Sequence, residues 1–147
     1  MSKRVFISLI ISVFLGFLSA QIVYSKYRDN LEKAKYNTYL IQIGSYENKE
    51  LIEPAFSEND YLVLEEDGKY NIYVGITTDL SNANKIKEIY DKKEIETYIK
   101  PAIIDNIEFV SNLEQYDILL KEVEDTDNIL SINEVILSTY EETVLGN

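Results

Sequence analysis

Two strand-like runs place amides and phenols at alternating positions. The first, Tyr39-Leu40-Ile41-Gln42-Ile43-Gly44-Ser45-Tyr46, carries a glutamine among apolar residues; the second reads Tyr70-Asn71-Ile72-Tyr73-Val74-Gly75-Ile76-Thr77. If Ile41, Ile43, Ile72, Val74 and Ile99 turn toward a packed layer, alternation sends Gln42, Asn71, Tyr73, Tyr98 and Lys100 to the opposite face. Amides hydrogen-bond hydroxyl and N-acetyl groups, and aromatic rings stack on the apolar faces of sugars, so such a face suits a carbohydrate. The plainer alternative is a half-exposed sheet surface, since tyrosine is favoured in strands for packing reasons alone.

No catalytic constellation accompanies these residues. The chain has no cysteine and no histidine, which removes disulfides, the usual zinc ligands and the commonest general base. It has no phosphate-cradling or dinucleotide-binding glycine loop. Adjacent acids such as Glu65 and Glu66 are expected by chance among 26 acidic residues. The run Glu124-Asp125-Thr126-Asp127-Asn128 lacks the glycine and the distal glutamate of a calcium loop. The expectation is a non-enzymatic protein with no cofactor and no metal.

The elements that must hold the polar face follow from local pattern. After the first strand, a short helix is expected between Asn48 and Phe56, cut by Pro54. A second strand over 61–65 leads into Glu66-Asp67-Gly68-Lys69, whose Asp-Gly pair marks a tight hairpin. Ser81 is a candidate N-cap for a helix with Ala83, Ile86, Ile89 and Tyr90 on one stripe, and a closing strand over 96–100 is ended by Pro101. The order β-α-β-β-α-β predicts an α+β, ferredoxin-like sandwich with a four-stranded antiparallel sheet over residues 39–104.

Both flanks differ in character. The apolar, uncharged stretch 5–24 is long enough to cross a bilayer, with Lys3 and Arg4 before it. It exceeds the usual apolar length of a cleaved signal. It predicts a single-pass anchor within residues 1–25, a stalk over 26–38, and a domain outside the cytoplasm; the competing reading is a cleaved signal peptide, with Leu18-Ser19-Ala20 or Val23-Tyr24-Ser25 as the cleavage site. Residues 105–147 carry eleven acids and one lysine, Lys121. They read as an amphipathic helix over 105–124, boxed by Asp105 and Glu108, and a second helix opening at Ser131 with Val135, Ile136, Tyr140 and Val144 as its stripe. This two-helix extension is expected either to pack on the domain or to present apolar stripes to a partner.

The paired motifs, Tyr39-x-Ile41-Gln42-Ile43-Gly44-Ser45-Tyr46 and Tyr70-x-Ile72-Tyr73-Val74-Gly75, followed by an Ala83-bearing helix, resemble the SPOR domain, the sporulation-related repeat of bacterial envelope proteins. The resemblance implies a ferredoxin-like fold tethered by one transmembrane helix, binding peptidoglycan glycan strands stripped of their stem peptides in cell division or sporulation. It places Gln42, Ser45, Tyr46, Asn71 and Tyr73 at the glycan. Asn71 stands where that family carries an arginine, and Pro54 falls where it carries a longer helix.

Charge narrows the partners. The net charge is −12, and the first 38 residues hold six basic and two acidic side chains, leaving eight basic and 24 acidic ones beyond them. Such a surface repels nucleic acid, whose binding depends on cationic neutralisation. The reading is therefore a membrane-inserted envelope protein that binds glycan. Its alternative is a degenerate copy of the same fold serving as a protein interaction module, meeting membrane, division or sporulation proteins through the C-terminal helices.

Overall fold

The computed structural model describes residues 3, 4, 7, 36–52 and 60–146. The expected anchor, apart from Ile7, and the stalk up to residue 35 lie outside these residues, as does 53–59 in the connection where the first helix was expected. Among the described residues no helix is long and apolar enough to cross a membrane.

The fold is α+β: a four-stranded antiparallel sheet with three helices among the described residues. The strands are β1 (Thr38–Tyr46), β2 (Leu62–Glu66), β3 (Lys69–Thr77) and β4 (Tyr98–Ala102), in the spatial order β2-β3-β1-β4. The helices are α1 (Leu80–Lys92), α2 (Ile107–Glu122) and α3 (Thr126–Thr143). The Asp-Gly hairpin forms as expected: Asp67 and Gly68 both take positive φ, 53° and 76°, the pairing that matches strand twist in a two-residue loop. Between β1 and β2 the described residues hold only a short 3-10 turn, Lys49–Leu51, capped by Asn48.

Four local expectations are corrected. The α1 N-cap is Asp79, whose carboxylate accepts from Asn82 N, rather than Ser81. The α2 cap is Asn106, accepting from Phe109 N, rather than Asp105. Helix α3 begins a turn earlier than Ser131, with Asp125 accepting from Asn128 N; Ser131 lies inside it and donates to Asp127 O at 2.8 Å. Pro101 sits within β4 rather than after it, which a strand at the edge of a sheet tolerates.

Residues 72 to 77 of β3 are all buried. Because neighbours on a strand point to opposite faces, both faces of this central strand are covered. Helix α1 packs on β1, β3 and β4, while α2 and α3 pack on β3 and on each other. The C-terminal helices share one hydrophobic core with the sheet, contributing Phe109, Val110, Leu113, Tyr116 and Leu120 from α2, and Ile129, Ile132, Ile136, Leu137 and Tyr140 from α3. At roughly 1.5–3 kcal/mol for each buried large apolar side chain, this hairpin is integral to the fold.

Asp117 fastens the hairpin to the sheet. Only 4% exposed, its carboxylate accepts from Thr77 Oγ1, from Thr78 N at 2.7 Å, from Thr78 Oγ1 at 2.6 Å and from Asn82 Nδ2 at 3.2 Å. Lys85 Nζ donates to the carbonyls of Leu120 (2.6 Å) and Val123 (2.9 Å), satisfying backbone acceptors at the α2 terminus. At the start of β1, the Asn37 side chain bonds Ile104 O and N, both at 2.8 Å, tying the strand's entry to the exit of β4.

Candidate functional site

Two of the five residues expected at the glycan, Asn71 and Tyr73, converge on one carboxylate, and a third, Gln42, is linked to it through Asn71. Glu66, the last residue of β2, accepts at Oε2 from Asn71 Nδ2, from Tyr73 Oη at 2.7 Å and from Lys100 Nζ at 3.2 Å. Lys100 Nζ also donates to Tyr73 Oη at 3.1 Å and lies 5.7 Å from the Tyr73 ring centre. Gln42 Nε2 donates to Asn71 Oδ1 at 3.3 Å and to Gly44 O at 3.2 Å. Each of the four strands contributes at least one member. The network borders a shallow depression of about 600 Å³ lined by Glu66, Asp67, Lys69, Asn71 and Lys100.

The backbone explains this convergence. The β1–β3 register is constant except at Gln42 and Ile43 opposite Tyr73 and Val74, where it slips and then recovers. Compensating irregularities of this kind bend and twist the pair locally. Val74 O receives a side-chain bond from buried Asn133 of α3 at this point. Leu64 pairs with Asn71 and Leu62 with Tyr73, so Glu66, two residues beyond Leu64, falls on the same face as those partners.

Electrostatics follow from these contacts. For Glu66, partial burial works against the charged form, but hydrogen bonds from Asn71, Tyr73 and Lys100 outweigh it and hold the carboxyl below its usual range. Burial and the neighbouring Glu66 push the Tyr73 hydroxyl up. Lys100 is raised by its bond to Tyr73 and then by Glu66. The site therefore holds a carboxylate, an ammonium and a neutral phenol at neutral pH.

The rings are arranged differently from the sequence expectation. Tyr73 is fully buried, with its hydroxyl in the network, so its ring is closed to a sugar. Tyr98 is 57% exposed and sits opposite Gln42 in the β1–β4 pairing, two residues from Lys100. Glu96 pushes its hydroxyl up. Ser45 is exposed and pairs with Asn71 across the strands. Tyr46 pairs with Tyr70, and its ring folds over Gly44 so closely that a Cβ there would lie 2.9 Å from Tyr46 Cε2. The bonds that meet at Glu66 come from Asn71, Tyr73 and Lys100 rather than from Ser45 or Tyr46; Glu66 is the member that residue-type reasoning passed over, and Lys100, placed on this face by alternation, was not counted among the glycan residues. Counting alternation back from the Asp-Gly turn would have flagged Glu66.

No protein-family model matches the chain, no curated protein matches it, and no solved structure matches it. Among the described residues no group of three or more acidic side chains is placed to hold a metal ion.

Proposed function

We propose that this chain is a membrane-anchored, non-enzymatic envelope protein whose sheet face binds the glycan strands of peptidoglycan. The observation that carries the reading is the meeting of Gln42, Asn71 and Tyr73 with Glu66 and Lys100 beside a shallow depression, with the exposed Tyr98 opposite Gln42 and two residues from Lys100 on β4. Preset hydrogen-bonding groups next to one open aromatic ring are what a pyranose requires: hydroxyls to bond and an apolar face to stack. The stacking role expected of Tyr73 passes to Tyr98 in this proposal, and Tyr73 acts through its hydroxyl. The strand order β2-β3-β1-β4, with β1 and β3 central, supports a ferredoxin-like sandwich and hence the likeness to SPOR domains. The apolar stretch 5–24 supports the single-pass anchor and an extracytoplasmic domain.

Co-sedimentation of the full chain in detergent with purified peptidoglycan, before and after an amidase strips the stem peptides, tests this. Pelleting that rises after stripping is expected. A folded protein left in the supernatant of both samples would overturn the reading and favour the interaction-module alternative.

A further inference from the structure

A census of hydrogen-bonding capacity in the site points to the kind of sugar it takes. Gln42 Nε2 spends both protons on Gly44 O and Asn71 Oδ1. Asn71 Nδ2 gives one of its two to Glu66, Tyr73 gives its only one to Glu66, and Lys100 gives two of its three to Glu66 and Tyr73. Most of the donors are thus consumed within the site.

The acceptors are not. All three bonds to Glu66 fall on Oε2, and Oε1 accepts from no described residue. Gln42 Oε1 is likewise unengaged among the described residues. Glu66 borders the depression, and its side chain is 38% exposed. The three donors on one oxygen hold the carboxylate in orientation, leaving the other as a preset acceptor. A ligand that fits must bring donors, and an ammonium satisfies an ionised carboxylate better than a neutral group does.

We infer that the site prefers an amino sugar with a free amine, a de-N-acetylated glucosamine unit, over its N-acetylated counterpart, with Glu66 as the specificity-determining residue. This rests on the glycan reading above and adds the chemical state of the sugar nitrogen. The amine donates to Glu66 Oε1 while ring hydroxyls meet Gln42 Oε1 and the remaining Lys100 proton. An N-acetyl group removes the charge and offers one N–H in place of three, and its carbonyl competes for donors that the site has already used. The chain's net charge of −12 adds a general attraction for a cationic glycan, so the contrast that matters is the one that depends on Glu66.

The test is a binding titration of the full chain in detergent with matched glucosamine and N-acetylglucosamine oligomers, at mildly acidic pH where the amine is protonated and Glu66 ionised. The free-amine oligomer is expected to bind about tenfold more tightly, the factor that 1.4 kcal/mol represents. Glu66→Gln, with its fold checked by circular dichroism, is expected to bring the two affinities together. Equal affinities in the wild type, or a preference that survives Glu66→Gln, would overturn the inference while leaving glycan binding in place. Binding of neither oligomer would overturn the glycan reading and this inference together.

Discussion

Lys100 Nζ and Glu66 Oε2 lie 3.2 Å apart although they belong to the two edge strands, β4 and β2, with β1 and β3 between them. Strands are spaced about 4.8 Å, so two side chains from opposite edges meet only where the sheet curls toward that face. The slip and recovery of register at Gln42 and Tyr73 is where the central pair departs from regular pairing. The network is thus both a product of the curl and a clamp on it.

Replacing Glu66 should expose that clamp as a pH effect. Its carboxyl is held below the usual 4.5, so the stability it contributes is fully present above 4.5 and is lost as pH falls through the lower folded value. Both partners are substantially exposed, so solvent screening limits the contribution to about 1 kcal/mol. Chemical denaturation of wild type and Glu66→Gln at several pH values should give a gap that is constant near neutrality and closes in acid.

Glu114 should act with the opposite sign. Burial, reinforced by the charge of Asp117, pushes its carboxyl up to about 6 from 4.5, and Asp117 itself is raised chiefly by burial. The folded state holds these protons more tightly, so stability falls as pH rises from 4.5 through 6. Glu114→Gln should stabilise the protein at neutral pH, by at most about 1 kcal/mol after screening, and flatten the melting temperature across that range.

Asp117→Ala leaves Thr77, Thr78 and Asn82 without their shared acceptor at a site that is almost wholly buried. A loss of about 2–4 kcal/mol is expected, since several buried donors go unpaired at once. Equilibrium unfolding measures it directly. A change under 0.5 kcal/mol, the usual range for surface substitutions, would show that the apolar core alone fixes the hairpin.

Gly75 is confined on three sides. A Cβ there would lie 3.0 Å from Ile41 Cδ1, 3.2 Å from Ile86 Cγ2 and 3.3 Å from Asn133 Oδ1. Gly75→Ala should therefore cost about 1–3 kcal/mol through overpacking, visible as a lowered melting temperature with the sheet retained.

The features most legible in the sequence were those with local causes. Asp67-Gly68 marked its hairpin because both residues must take positive φ, and the Ala83, Ile86, Ile89 and Tyr90 stripe marked α1 because helical period and burial coincide. The beginning of α3 was harder to read: Ser131 and Glu134 imitate a capping box, while the working cap, Asp125, sits in an acidic run with several equivalent candidates. Tyr73 shows a different limit. Alternation assigned it correctly to the face shared with Asn71, yet whether that face is covered depends on packing by elements distant in sequence. Glu66 was hidden by its place in a turn, where an acid ordinarily points to solvent.

The central claim is that the sheet face around Tyr98, Lys100, Asn71 and Gln42 contacts glycan. The most direct test is chemical-shift mapping on the isotopically labelled full chain in detergent, titrated with glycan strands freed of stem peptides. The account predicts saturable shifts at these four residues and at Glu66, with the solvent-facing side of α2 and α3 unaffected. Shifts confined to the outer faces of α2 and α3, or none at concentrations where the glycan co-sediments with the protein, would contradict it.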